Sequence, residues 1–317
     1  MGITAYFASL NILKLFKNMP GGIAQGLIWG LMALGVYITF RVLDVADLTV
    51  DGSFTTGGAV TVMLILGGKP AWVALLVAVL AGMLAGLATG LLHTKLGIPV
   101  ILAGILTQFS LYSINLRIMG MAANKAVSVD KYHLILSSRH IPPAILTAAL
   151  IALVLVSFFY WYFGTEQGSA IRATGNNPAM SRALGININR MKLLGLALSN
   201  GVVALSGGLM SQYQGFADIN MGRGAIVIGL AAVIIGEVIS NALLGKYLNF
   251  FVVMTFVVIG GVIYYLVIII VLWLKLNSND LKLFTAVIVA IFLAIPYLRG
   301  QRISSFGKFR KGAKKDA

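Results

Sequence analysis

The sequence predicts an all-α polytopic membrane protein. It has 317 residues, of which 59% are hydrophobic and only 10% are charged, whereas a soluble domain carries about 25% charged residues. The mean hydropathy is +0.94, and several apolar runs exceed the roughly 18 residues that a bilayer-spanning helix requires. Segments of about ten residues with alternating hydrophobicity, typical of membrane β-barrels, do not occur in the sequence.

Nine apolar segments are candidate spans, separated by polar breaks such as GGKP and NSND. We expect about eight transmembrane helices, one broken or re-entrant helix at 50–68, and a short cytoplasmic helix. The candidates are 21–40, 50–68, 70–92, 98–118, 141–163, 192–214, 224–247, 249–274 and 280–298.

The chain divides into three regions. Residues 1–20 form an N-terminal segment, in which 5–16 are predicted to be an amphipathic helix on the cytoplasmic membrane surface. Residues 21–298 are predicted to form the transmembrane domain. Residues 299–317 form a tail with seven Lys or Arg and one Asp. Directly after an apolar span, such a tail indicates a cytoplasmic anchor near membrane lipid rather than nucleic-acid binding.

Positive charge predicts the orientation. The tail and the segment 164–192 are both basic, and cytoplasmic loops carry an excess of Lys and Arg. If Lys14 and Lys17 are also cytoplasmic, the first half of the chain must cross the membrane an even number of times, although it contains five candidates. The segment 50–68 opens with an acid and is rich in Gly and Thr, so we predict that this one does not cross.

This parity argument has three consequences. Both termini are expected in the cytoplasm, and His93 and Lys95 lie on the same side. The acidic residues near Asp44 are expected outside. Loop 117–140 is also expected outside, although it is itself basic.

A short helix is predicted inside the segment 164–192, within GNNPAMSRALGI. Asn177 is a favoured N-cap, Pro178 occupies the first helical position, and Gly185 is a C′ stop. The helix between them has about seven residues and is roughly 10 Å long, too short and too polar to span a membrane. An ordinary solvated loop helix has the same spacing, so the spacing alone leaves its role open.

Three segments carry a resemblance to a known family. They read GTEQGSAIRATGNNPAMSRALGININRMKLLGLALSNGVVALSGGLMSQ, GLIWGLMALGVYITFRVLDVADLTVDGSFTTGGAV and GFADINMGRGAIVIGLAAVIIGEVI. They resemble permeases of ATP-binding-cassette importers in the branched-chain amino-acid and ribose permease superfamily, especially a subgroup for tryptophan, tyrosine or related solutes. The resemblance covers residues 20–270. Met180 replaces a small residue common in the family, and Ser169–Ala170 stand where an Arg often occurs.

The resemblance implies a transport mechanism and a set of partners. The chain would form the pathway for a small solute, an amino acid and aromatic by subgroup, in the cell membrane of a bacterium. Its partners would be two ATPase subunits that bind ATP and Mg, a second permease chain as a homodimer, and an extracellular solute-binding protein. The coupling residues that would contact an ATPase are Arg172, Asn176, Asn177, Pro178, Ala179, Met180, Arg182, Ala183, Leu184 and Gly185.

The chain itself lacks the motif for nucleotide hydrolysis. A phosphate loop requires G-x-x-x-x-G-K-[ST], and none of the Gly–Lys pairs at 68–69, 245–246 and 307–308 is followed by Ser or Thr. We therefore expect no enzyme activity and no bound cofactor in this chain. The sequence has no Cys, and its three His are scattered, so no metal site is predicted.

Polar residues within the apolar segments are candidates for the translocation pathway, because they are costly in a membrane and usually face the bundle interior. If the segment is helical, Asp44, Asp47 and Asp51 share one face of it, and Arg41 could pair with Asp44. The three acids could equally form a solvated outer mouth of the protein. Asp51 alternatively starts a broken helix whose N-terminus points at a substrate carboxylate. The candidates are Asp47, Asp51, Ser53, Gln108, Asn200 and Glu237.

Two other functions remain open at this stage. A proton-coupled secondary transporter would use Glu237 as its proton carrier and would need no ATPase. A non-transporting scaffold would tolerate replacement of its interior polar residues. The Gly-rich stretches DGSFTTGGAV and GRGAIVIGLAAVIIG are both helix starts after a polar turn, which suggests either two related halves around a pathway or simple packing through small residues.

Overall fold

The computed structural model describes residues 12–129, 131–245 and 249–273, and the separate positions 283, 286, 287, 290, 291 and 294. In this part of the chain, seven helices are long and apolar enough to cross a membrane. The all-α polytopic membrane fold is therefore confirmed. The described elements are α1 (Ile12–Tyr37), α2 (Val50–Leu66), α3 (Ala71–Leu96), α4 (Val100–Ile118), β1 (Asn124–Ala126), α5 (Ile141–Gly164), α6 (Glu166–Asn176), α7 (Pro178–Ala183), α8 (Ile188–Gln214), β2 (Phe216–Asp218), α9 (Ala225–Leu244) and α10 (Phe250–Trp273).

Helix α1 runs through the boundary predicted at residue 20 and is extended by a π-helical turn, Ile38–Val42. It packs antiparallel to α8. The hydroxyl of Tyr213 donates a hydrogen bond to the carbonyl of Gly21 at 3.4 Å, and the hydroxyl of Ser199 donates to the carbonyl of Gly35 at 2.8 Å. Gly21 therefore lies beside the last turn of α8, whereas the end of α1 lies beside its first turns.

The bundle has two ends, called here the sheet end and the α7 end. At the sheet end, β1 pairs antiparallel with β2, and the backbone N–H of Ser138 donates to the carbonyl of Tyr213 at 3.1 Å. At the α7 end, Gly175 of α6 lies against the backbone of Val42. Loop 117–140 thus lies at the end opposite to the coupling segment, as the parity argument predicts.

The direction of α1 contradicts one prediction. The start of the helix lies at the sheet end, so the described residues 12–20 and the coupling segment 164–192 lie at opposite ends of the bundle. The prediction that both are cytoplasmic is therefore wrong. The prediction assumed that the basic residues near the N-terminus lie on the same side of the membrane as the coupling segment. Because α1 is one continuous helix antiparallel to α8, these residues lie at the opposite end of the bundle. Residues 1–11, which include most of the predicted amphipathic helix, lie outside the described residues.

The segment 50–68 was predicted to be broken or re-entrant, and the structure favours a broken helix. Residues 43–49 are not α-helical, and α2 begins only at Val50. Leu43 packs on Gly195 near the α7 end, whereas Ile65 packs in a cluster with Val127 at the sheet end. Residues 43–66 together connect the two ends of the bundle, so the broken stretch is not re-entrant and supplies the crossing that the parity argument removed.

Two glycines let α2 and α8 approach at backbone distance. A Cβ on Gly57 would overlap the backbone of Ala204, and a Cβ on Gly207 would overlap the backbone of Phe54. Small residues allow such close packing between membrane helices, where dispersion contacts rather than the hydrophobic effect drive association. The Gly-rich character of α2 is therefore explained by packing.

Helices α9 and α10 complete the described bundle. The second turn of α9 packs on α1 through Gly229 and Val36, and α10 returns to the sheet end, where Ile269 lies against Gly22. The candidate span 280–298 is described only at its six separate positions. The basic tail 299–317 lies outside the described residues.

Candidate functional site

The two Gly-rich helix starts meet inside the bundle. One carboxylate oxygen of Asp51, in the first turn of α2, accepts a hydrogen bond from the backbone N–H of Gly224 at 2.9 Å. The other accepts from the N–H of Ile226, also at 2.9 Å. The first N–H groups of a helix have no partner within it and carry a partial positive charge. Asp51 therefore stabilises the start of α9, rather than leaving it free for a solute carboxylate.

Three predicted pathway residues form one buried hydrogen-bonded group. The side-chain N–H of Asn200 donates to Asp47 at 2.6 Å, and Ser53 donates to the amide oxygen of Asn200, also at 2.6 Å. Asp47 also accepts from the backbone N–H of Thr49 at 2.9 Å. All three predicted residues are buried. Their hydrogen bonds attach the non-helical segment 43–49 to α2 and α8, which is a structural role.

A chain of hydroxyl groups continues from this group. Thr49 and Thr89 are joined by a hydrogen bond of 2.6 Å, and Thr89 donates to Thr107 at 2.9 Å. The sequence reasoning missed these three residues. Thr89 and Thr107 lie within apolar segments, where a Thr is too common to single it out, and Thr49 lies in the polar stretch before α2.

Asp51 and Gln108 line a cavity of about 290 Å³ between α2, α4 and the turn before α9. These are the two predicted pathway residues that the structure brings together at an open space. Ligand cavities are typically about 300 to 1,000 Å³, so the volume suits a small solute. Its other lining residues are Gly52, Thr55, Phe109, Tyr112, Asn115, Ile219 and Arg223.

The cavity opens on the outward face of α4. This helix is the least hydrophobic of the seven candidate spans, and its exposed residues include Phe109, Ser110, Tyr112 and Ser113. The pathway residues predicted from the sequence did not include Arg223, Phe109 or Tyr112. Nothing in the sequence connects Arg223 with α4, since more than a hundred residues separate them.

Glu237, for which no partner was evident in the sequence, forms an ion pair with Arg41. The pair joins α9 to the π-helical turn at the α7 end. The predicted pair of Arg41 with Asp44 stays a prediction; both residues line one cavity at the α7 end. Glu237 therefore contacts Arg41 and does not line the cavity beside α4.

Asp44 lies at the α7 end, so the prediction that the acidic residues near it are outside, across the membrane from the coupling segment, is wrong. It lines a cavity of about 330 Å³ together with Arg41, Arg172 and Asn176. Asp44 has a φ of 56°, a left-handed conformation that Asp tolerates better than most residues. Because residues 43–49 are not α-helical, Asp44, Asp47 and Asp51 do not share a helix face, which is a second correction.

The coupling segment folds as predicted at its short helix. The side-chain oxygen of Asn177 accepts from the backbone N–H of Met180 at 3.1 Å, and Pro178 is the first helical residue. Gly185 has a φ of 80°. Its N–H donates to the carbonyl of Arg182, and the N–H of Ile186 donates to that of Ser181, each at 3.0 Å. These two bonds form a Schellman motif, so both predicted ends of the helix are confirmed.

The predicted coupling residues form one outward surface. All ten of them are exposed, whereas Ser181 of the same helix is buried. Two of the exposed side chains are large and apolar: Met180 is 58% exposed and Leu184 is 66% exposed. The helix α6, which precedes α7, was not predicted separately; Thr165 caps it by accepting from the N–H of Gly168 at 3.4 Å.

Further basic residues surround this surface. Lys192 donates to Nε2 of His93 at 3.0 Å, and Nδ1 of His93 lies 2.8 Å from the carbonyl oxygen of Ile98. His93 therefore lies at the α7 end, on the side that the parity argument predicts.

Among the residues that the structure describes, no three His, Asp or Glu side chains form a group that could hold a metal ion.

Comparison with known proteins shows which family the chain belongs to. The family described as "Branched-chain amino acid transport system / permease component" matches residues 18–296. A protein of Clostridioides difficile (strain R20291), named a tyrosine transport system permease protein, is 42% identical over 272 residues, which are 85% of this chain and 88% of the relative. A protein of Rickettsia prowazekii (strain Madrid E), described as uncharacterized, is 33% identical over 184 residues, or 57% of this chain and 63% of that protein. No solved structure matches the chain.

Proposed function

Because the chain belongs to the branched-chain amino acid transport permease family, we propose that it is the membrane subunit of an ATP-binding-cassette importer for an amino acid. Hydrolysis of ATP, with its Mg, takes place on a separate ATPase, and this chain binds no cofactor of its own. The observation that carries the proposal is the exposed, doubly capped helix α7 at one end of an apolar helical bundle.

Helix α7 has the properties of a docking element. Its ends are set by the cap of Asn177 and by Gly185, so the helix is rigid although it has only six residues. Exposed Met180 and Leu184 offer apolar anchors at an otherwise polar surface. We propose that they enter a groove of the ATPase, and that each of two ATPase subunits contacts one permease chain.

The α7 end faces the cytoplasm of a bacterial cell in this proposal. Arg172, Arg182, Arg190 and Lys192 are at this end, and basic residues favour the cytoplasmic side. The start of α1 is then at the outer face, in contrast to the cytoplasmic N-terminus predicted from the sequence. Helix α10 ends near the outer face, and the basic composition of the tail 299–317 favours the cytoplasmic side.

A second copy of the chain covers the outward face of α4. Exposed Ser113 lies on this face beside the cavity, and lipid satisfies hydroxyl groups poorly. We propose a homodimer in which the two α4 faces enclose the translocation pathway. An extracellular solute-binding protein delivers the solute at the sheet end.

The solute is an aromatic amino acid in this proposal. The relative in Clostridioides difficile is named for tyrosine, and the cavity beside α4 is lined by both aromatic and polar side chains. L-Tyrosine is therefore the first solute to test.

The experiment replaces the two apolar anchors of α7. We expect that the double variant Met180→Asp/Leu184→Asp no longer copurifies with its ATPase and no longer supports ATP-driven tyrosine uptake into liposomes. Met121→Asp is the matched control, because Met121 is also an exposed methionine but lies at the sheet end. If the double variant binds the ATPase and transports like the unmodified protein, α7 is not the coupling helix.

The alternative, proton-coupled transport through Glu237, has no specific support. Glu237 is engaged with Arg41 instead of lining the cavity beside α4. This alternative predicts tyrosine uptake by the purified chain in a proton gradient without ATP. ATP-dependent uptake that persists in the presence of a protonophore contradicts it.

A further inference from the structure

We propose that the cavity beside α4 binds the zwitterionic head group of an amino acid, with Arg223 contacting the carboxylate and Asp51 contacting the ammonium group. This inference rests on the proposed transport function and adds a binding site with assigned residues. The site is bounded by α2, α4 and the turn before α9, and its volume is about 290 Å³.

The first observation is a buried amide that has no partner. Asn115 is only 1% exposed and lines the cavity. Within the described part of the chain, neither its side-chain nitrogen nor its side-chain oxygen has a hydrogen-bond partner. Buried polar groups are almost always hydrogen-bonded, and an exception calls for an explanation. A solute in the cavity would supply the missing partners once the amide turns toward it, because both atoms are covered in this structure.

The second observation is a pair of opposite charges at one cavity. Arg223 and Asp51 both line it, and they are not joined by an ion pair within the described residues. Each oxygen of Asp51 accepts one backbone N–H and retains capacity for a second hydrogen bond. Arg223 is exposed, so its guanidinium is available for a carboxylate, which it matches in geometry.

This pattern distinguishes between classes of solute. A zwitterion places a carboxylate and an ammonium group a few bonds apart, and one cation and one anion at the same cavity complement both. A neutral sugar or nucleoside uses neither charge. Phe109 and Tyr112 line the same cavity, and aromatic rings favour contact with another ring in offset or edge-to-face arrangements. The class that fits best is an amino acid with an aromatic side chain.

The test measures weak binding directly on the permease–ATPase complex in nanodiscs, without the solute-binding protein, by saturation-transfer NMR with L-tyrosine. We expect Arg223→Gln to raise the Kd for L-tyrosine about tenfold or more. Tyramine lacks the carboxylate, so its Kd should be the same in the variant and in the unmodified complex. Arg117→Gln is the matched control, because Arg117 is an exposed arginine at the same end of α4 that does not line the cavity.

Asn115→Leu is the second variant, since it keeps the number and branching of the side-chain heavy atoms and removes the unpartnered amide. It should also weaken L-tyrosine binding, and copurification with the ATPase shows that each variant folds. Unchanged L-tyrosine binding in both variants overturns the proposed site. Equal weakening by Arg223→Gln and Arg117→Gln overturns it as well.

Failure of the site and failure of the proposed function give different results. If the complete transporter takes up L-tyrosine with ATP but the two variants bind it normally, only the site is wrong. If the unmodified complete transporter does not take up L-tyrosine, the proposed substrate is wrong, and the proposed binding site for its head group is rejected as well.

Discussion

Arg41 and Glu237 form an ion pair between positions 196 residues apart in the sequence. The pair joins the π-helical turn after α1 to α9 at the α7 end, and both side chains are about four-fifths buried. Replacing one member leaves a charge in a mostly buried site without its counterion, whereas replacing both removes the conflict.

We therefore expect Arg41→Leu and Glu237→Leu to be non-additive. Each single variant should unfold more easily than the unmodified protein, and the double variant should lose less stability than the sum. The expected coupling energy is about 0.5 to 3 kcal/mol, measured by unfolding the purified permease in mixed micelles. Additive losses would show that the pair contributes nothing.

Asp51 is expected to stabilise the start of α9. Asp51→Ala removes the acceptors of two backbone N–H groups, and Asp51→Asn keeps one of its two oxygen acceptors. The loss of an N-terminal cap costs about 0.5 to 2 kcal/mol. We therefore expect the unmodified protein to be the most stable, Asp51→Asn to be less stable and Asp51→Ala to be the least stable. The same unfolding measurement checks this order. Equal stability of the three proteins is the contrary result.

The contact between α2 and α8 should not tolerate a methyl group at Gly57. Gly57→Ala would overlap the backbone of Ala204, and a backbone cannot move away as a flexible side chain does. Overpacking of this kind typically costs about 1 to 3 kcal/mol, and we expect the upper part of that range.

Gly164→Ala is the matched control for Gly57→Ala. Gly164 is also helical, but no atom lies within 4 Å of the position that its Cβ would occupy. Folded yield and unfolding midpoint should fall for Gly57→Ala and stay unchanged for Gly164→Ala. A loss of the same size in both variants would indicate a general cost of replacing a helical glycine, and not an overlap specific to Gly57.

The N-cap of α7 should matter for coupling more than for folding. Asn177→Ala removes the acceptor for the N–H of Met180 and destabilises α7 by about 1 kcal/mol, while the membrane bundle does not depend on it. On the proposed function, the number of tyrosine molecules taken up per ATP hydrolysed should fall. Asn177→Asp keeps an acceptor and serves as the control. An unchanged ratio of tyrosine uptake to ATP hydrolysis in Asn177→Ala would contradict the proposal that the capped, rigid helix α7 is needed for coupling.

Local features of the fold were predictable from the sequence. The apolar segments predicted the long helices because the length of a hydrophobic run is a property of neighbouring residues. Asn177, Pro178 and Gly185 predicted both ends of α7 for the same reason, since a cap is formed by groups within one or two turns. The break before α2 was also anticipated, from the polar opening of that segment.

The direction of α1 and the partners of the polar residues were not predictable in this way. Charge at the chain terminus suggested the wrong end for α1, because topology depends on how helices pack as well as on charge. The predicted pathway residues divided into three groups. Asp47, Ser53 and Asn200 hold the broken segment in place, Glu237 pairs with Arg41, and Asp51 and Gln108 line the cavity.

The sequence by itself determined that this protein is a helical membrane protein with a short, capped helix, because hydrophobic length and helix caps are encoded locally. Only the tertiary structure decided that Asp51 meets the start of α9, from which it is separated by more than 170 residues. It also decided that Asn115 lines a cavity and that its amide has no hydrogen-bond partner among the described residues. The physical reason is that these contacts form between helices whose mutual positions depend on packing along their whole length.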